Sequence, residues 1–98
     1  MAHFAIIENN RVVSVIVLEN KDVGEPELSF PETEELGIEF LKNLGVIGNI
    51  KQCSFNGSFR GHYPAIGSLY DEDEDIFIPL HFVNVDGTWM DPKDVPNS

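Results

Sequence analysis

The 98-residue chain holds one cysteine, one tryptophan and only six lysines and arginines against 17 aspartates and glutamates. Each scarcity excludes something. A lone thiol, Cys53, cannot form an internal disulfide. The few basic residues are dispersed, so nothing neutralises phosphates by releasing counterions, and a formal net charge of −11 repels nucleic acid and anionic membranes. Neither is expected as a partner. No membrane span is expected, and Met1-Ala2-His3-Phe4 lacks the basic start and long apolar run of a signal peptide, so synthesis in the cytoplasm is expected. A chain this short makes one domain with too small a core for a deep active site. What it does have is apolar content: 42% hydrophobic and 10% aromatic residues are too many for a disordered acidic tail.

The runs Phe4–Ile7 and Val12–Leu18 are rich in β-branched residues and are separated by Glu8-Asn9-Asn10-Arg11, where asparagine tolerates the positive φ of a tight turn. A β-hairpin is predicted. Its second strand is apolar on both alternating sets, Val12/Ile16/Leu18 and Val13/Val15/Val17, so both faces want cover. Residues 19–31 read as a loop, with Gly24, Pro26 and Pro31 among acids. An amphipathic helix follows, its first turn loaded with Glu32, Glu34 and Glu35 and its stop supplied by Gly45. Leu36, Phe40 and Leu44, with Leu41 beside them, form the predicted apolar stripe, and Gly37 weakens the helix.

A strand is predicted over 50–56. Residues 66–70 and 76–79 flank the acidic run Asp71–Asp75 as a hairpin with a solvated tip, and Phe82–Val85 and Thr88–Met90 flank Asp86-Gly87 as a last short hairpin. The fold class is therefore α+β: a mostly antiparallel sheet built from hairpins, with one amphipathic helix packed on one face. Residues 1–91 make the domain, and 92–98 read as a frayed tail.

No chemistry-bearing constellation emerges. The acidic run fails the EF-hand template, because its sixth position is Ile76 rather than glycine and its twelfth is Phe82 rather than glutamate. His3, His62 and His81 have no ligand at zinc-site spacing. Cys53, in a predicted strand, reads as a small buried hydrophobe rather than a nucleophile. Gly57-Ser58-Phe59-Arg60-Gly61 lacks the lysine of a phosphate-binding loop. No catalytic residue, metal or cofactor is expected.

Charge is unevenly placed. Residues 19–39 hold eight carboxylates, whereas 46–70 hold none and carry Lys51, Arg60 and His62. That acid-free stretch reads either as buried strand or as a contact patch on an otherwise repulsive surface. As a patch it offers Phe59, Arg60 and Tyr63. The uncovered strand face adds Val13, Val15 and Val17, since one helix closes only one of two apolar faces. The other possibility is that the 19–31 loop and the C-terminal hairpin fold back over the second face.

The N-terminal hairpin, together with Gln52-Cys53-Ser54-Phe55-Asn56, Phe59-Arg60-Gly61-His62-Tyr63-Pro64-Ala65-Ile66-Gly67-Ser68-Leu69-Tyr70-Asp71 and Asp75-Ile76-Phe77-Ile78-Pro79, resembles small proteins of tailed phages that infect cyanobacteria. These motifs cover about half of the chain. The resemblance implies a virion structural protein, a capsid decoration or a tail or fibre accessory, located in the particle. Its partners would be other virion proteins or copies of itself, in a homo- or hetero-oligomer. The competing class is an acidic phage modulator that binds and alters a host protein.

Overall fold

The chain opens with the longest strands of the molecule, β1 (Ala2–Glu8) and β2 (Arg11–Leu18), paired antiparallel. The computed structural model describes residues 1–95. Between these strands Asn9 and Asn10 take φ of 51° and 63°, the double left-handed step that a two-residue hairpin turn requires. A short helix α1 (Asn20–Val23) and a longer one, α2 (Glu32–Asn43), precede β3 (Asn49–Cys53), which pairs with the free side of β1. The strands β4 (Leu69–Asp71) and β5 (Ile76–Ile78) form the predicted acidic-tipped hairpin and extend the sheet beyond β2. The order is β3-β1-β2-β4-β5, antiparallel throughout. The last hairpin, β6 (Val83–Val85) and β7 (Thr88–Met90), is a separate two-stranded ribbon turned by Asp86 and Gly87, both at positive φ. The architecture is α+β, as the sequence predicts.

Register decides which side each residue serves. Phe4 faces Ile16 and Ala2 faces Leu18, so these side chains share the helix side of the sheet with Ile6, Ile50, Val23 and Leu41. Ala5, Ile7, Val12, Cys53, Tyr70 and Phe77 form a second cluster on the opposite side, with Val15 against it. The predicted grouping of Val12 with Ile16 and Leu18 is corrected here. Pairing jumps from Ile6↔Ser14 to Ile7↔Val12, leaving Val13 as the extra residue of a bulge, and a one-residue slip exchanges faces.

The predicted helix stripe is also corrected. Thr33, Gly37 and Leu41 are the buried positions of α2, whereas Leu36 and Leu44 are exposed and Phe40 is half-buried. The contact face sits about one residue round the helix from the row of leucines. Gly37 lies at the closest approach of helix and sheet, where a Cβ would overlap the ring of the fully buried Phe4. The helix ends as predicted at Gly45, φ 95°, with the Val46 amide bonded to the Leu41 carbonyl and the Gly45 amide to that of Lys42, both at 3.0 Å.

Residues 19–31 are not wholly loop. One turn of helix, α1, buries Val23 against the helix-side cluster, so this segment covers the first face and not the second. The third strand ends at Cys53, short of the predicted Asn56, because a turn closed by the Gly57 amide on the Ser54 carbonyl (3.0 Å) takes over. Pro92–Asp94 form a turn of 3-10 helix capped by Asp91, where a frayed tail is predicted; the remainder of that tail, 96–98, lies outside the described residues.

Candidate functional site

Cover for the second face comes from the sheet's own curl. Beyond β3 the chain runs to Arg60 and Gly61, which pair beside β5: the Phe77 amide donates to the Arg60 carbonyl (2.9 Å), and Gly61 bridges Phe77 in parallel. The Arg60 side chain reaches back and donates from Nη1 to the Gln52 carbonyl of β3 at 2.9 Å. One residue thus ties together the two outer strands of the five-stranded sheet.

Arg60 also gathers charge. Its Nη1 pairs with a Glu34 carboxylate oxygen of α2 at 2.9 Å, its Nε donates to Asp75 Oδ1 at 2.9 Å, and its guanidinium stands 5.1 Å from the centre of the Phe30 ring, which stacks on Phe59 at 3.9 Å. The Tyr70 hydroxyl donates to the same Asp75 oxygen. Burial favours the uncharged forms of Arg60 and Asp75, but the ion pairs outweigh it: the guanidinium is held above its ordinary value, and the Tyr70 and Arg60 donors hold the Asp75 carboxyl below the usual carboxylate range. Tyr70 is raised, first by burial and then by Asp75. Arg60, a predicted contact residue, has a side chain only 9% exposed. Its charge is committed inside the chain, as is the stacked ring of Phe59.

The other predicted contact residues fare differently. Val15 is half-buried against the second cluster, and Val13 and Val17 are exposed. Val17 lies opposite His3 in the register, and the His3 ring meets Phe55 at 5.6 Å and Tyr63 edge-on at 5.5 Å, while Phe55 and Tyr63 meet at 5.3 Å. Phe55 is 70% exposed and Val17 47%. Four side chains from β1, β2 and the loop after β3 therefore make one contiguous apolar patch. The sequence reasoning reached Val17 and Tyr63 but missed His3 and Phe55; no spacing signal joins them, because a cross-strand register brings them together.

A cleft of about 250 Å³ adjoins this patch, where β1 begins and β3 ends. Phe30, Phe59 and Phe55 contribute aromatic wall, and Thr33, Gln52 and Ser54 contribute buried polar groups, with the Thr33 hydroxyl donating to Gln52 Oε1 at 2.8 Å. Glu25 also lines it. One of its carboxylate oxygens, Oε1, is shielded from solvent and has no hydrogen-bond partner among the described residues.

The groups weighed for chemistry are placed as follows. Cys53 lies directly opposite His3 in the β1–β3 register, but burial pushes its thiol up to about 12, the reverse of what a nucleophile needs. Among the described residues no three His, Cys, Asp or Glu side chains are grouped to hold a metal, and no helix is long and apolar enough to cross a membrane. At the acidic turn Asp71 Oδ1 accepts from the amides of Asp73 and Glu74, and residues 72–75 are exposed. No protein-family model matches the chain, and no curated protein or solved structure matches it significantly.

Proposed function

We propose that this chain is a non-catalytic structural component that assembles through protein–protein contacts, with the patch of His3, Val17, Phe55 and Tyr63 as its contact surface. The carrying observation is the contiguity of that patch. Single exposed apolar residues are ordinary on any protein, whereas an aromatic group joined across three segments is the composition of an interface core. It also stands out against a surface whose net charge of −11 repels copies of the chain at long range.

The resemblance of the central motifs to small proteins of tailed phages supports a virion as the assembly, with the protein serving as a capsid decoration or a tail accessory beside other virion proteins or its own copies. Quantitative proteomics of gradient-purified particles tests this, and stoichiometric recovery is expected. Recovery only from infected-cell lysate would replace it with the second reading, an acidic modulator of a host protein, which the same net charge favours. The contact surface is tested separately by Val17→Asp. Burying a valine is worth about 1.5–3 kcal/mol, so this substitution should abolish assembly while leaving circular dichroism unchanged.

A further inference from the structure

The cleft beside the patch has a chemistry of its own. Glu25 places a carboxylate oxygen out of reach of water and without a donor, and no cation of the described residues lies within salt-bridge distance of it. One oxygen of a half-buried carboxylate is thus left with neither water nor a donor, so the arrangement favours whatever brings a donor, above all a positively charged one, to it. The neighbouring imidazole does not. His3 is held below its ordinary value, first by burial and then by the chain's α-amino group, which favours the neutral ring, so it does not bring a positive charge to Glu25.

The walls are suited to an organic cation rather than a metal ion. Phe30 already receives the Arg60 guanidinium over its ring, and Phe55 and Phe59 also line the cleft, so its walls are the aromatic surroundings in which ammonium and guanidinium groups lose least on leaving water. Size narrows the class further. A space of about 250 Å³ falls below the 300–1,000 Å³ that small-molecule sites usually occupy, and it opens beside an exposed aromatic surface. It fits one long side chain of a docked protein.

We propose that the cleft receives a single lysine or arginine side chain of the protein that docks on the aromatic patch, its charge paired with Glu25 and its stem lying against the phenylalanine rings. This rests on the assembly reading above and supplies the partner's chemistry: a basic anchor residue set in an apolar surround.

The test uses the full ¹⁵N-labelled chain titrated with Nα-acetyl-arginine-N-methylamide and its lysine analogue, with the norleucine analogue and putrescine as comparators. A fragment of this size should bind with a Kd on the order of 1–10 mM. The expected result is amide shifts at Glu25, Gln52 and Phe55 with the two cationic amino-acid probes, none with norleucine, and at least tenfold weaker binding to Glu25→Gln, whose remaining spectrum reports an intact fold. Absence of shifts at the cleft, shifts confined to the acidic turn at residues 71–75, equal binding of norleucine, or undiminished binding to Glu25→Gln each overturns the proposal. Tighter binding of putrescine than of either amino-acid probe overturns it in favour of a free amine. Val17→Asp keeps the two claims apart. It lies outside the cleft lining, so loss of assembly with cation binding retained supports both, and assembly that survives Val17→Asp sinks the contact surface whatever the cleft binds.

Discussion

Phe4 fills the space that a side chain at residue 37 would occupy, and the helix packs against the sheet at that point because Gly37 has none. In an exposed helix Gly→Ala would gain about 1 kcal/mol of propensity. Here the added methyl meets a ring that is fully buried and cannot swing aside, and overpacking of that kind costs about 1–3 kcal/mol. Gly37→Ala should therefore lower stability in urea unfolding, and Phe4→Leu should cost less in that background than alone. A stabilised Gly37→Ala protein would mean that the helix stands off the sheet.

Arg60 is the second point on which the fold depends. Removing its side chain takes this donor from Glu34 and the Gln52 carbonyl and leaves Asp75 with Tyr70 alone, and loss of one member of a largely buried ion pair typically costs about 3–5 kcal/mol. Asp75 is half-exposed and recovers water, so Arg60→Met should fall near the lower bound of that range, at about 3 kcal/mol. Lysine keeps the charge but not the fork of donors, and Arg60→Lys should lie between Met and the parent protein. Denaturant midpoints give the order, and a loss below about 0.5 kcal/mol, the scale of an inconsequential surface change, would remove Arg60 as the tie between β3 and β5.

How much of this was legible beforehand divides along one physical line. Local chemistry was readable: the Asn9-Asn10 and Asp86-Gly87 turns, the carboxylates that open α2 and the glycine that closes it stand where their conformational preferences put them. Matters set by distant partners were not. The buried face of α2 contains a threonine and a glycine, so its apolar pattern pointed one residue away, to leucines that remain exposed. The bulge at Val13 has no sequence signal and moved Val12 to the other face. Arg60 sits in an acid-free stretch that reads either as buried strand or as a contact patch, and its partners Glu34 and Asp75 reach it from 26 residues before and 15 residues after in the chain. The patch and the cleft were invisible for the same reason, since both exist only once β1 lies beside β3.

The acidic turn offers a contrast within one loop. Asp73 and Glu74 are exposed, and of the turn's side chains it is Asp71 that accepts the backbone bonds at the tip, so Asp73→Asn with Glu74→Gln should relieve like-charge repulsion and change stability by no more than about 0.5 kcal/mol. Asp75 is different. It accepts from both Arg60 and Tyr70, and bonds to a charged group are worth about 1.5–3 kcal/mol, so Asp75→Asn should cost at least about 1 kcal/mol despite lying next to Glu74. A rise in melting temperature with calcium for the parent protein but not for the double variant would show that the turn holds an ion, and the repulsion argument would be withdrawn.

Acid should weaken the protein in two separable stages. His3 has a folded-state pKa below the ordinary 6.5, lowered by burial and by the α-amino group and only partly restored by Glu25. Between the folded and unfolded values the unfolded chain binds more protons, so this contribution to stability is complete above about pH 6.5 and is lost as pH falls through the folded value. Asp75 obeys the same sign in a lower window: its carboxyl is depressed from 3.8, so its contribution is complete above that value and is lost as pH falls through the folded value. Melting temperature should therefore decline from pH 7.5 to pH 5, before the carboxylates begin to protonate. Replacing His3 by phenylalanine keeps an aromatic ring between Phe55 and Tyr63 and removes the proton site. Because the two proteins differ at that position alone, the difference in slope between parent and His3→Phe isolates residue 3. A flatter profile for the variant over that interval is the expected outcome, and equal slopes would mean that His3 is as well solvated in the folded chain as in the unfolded one.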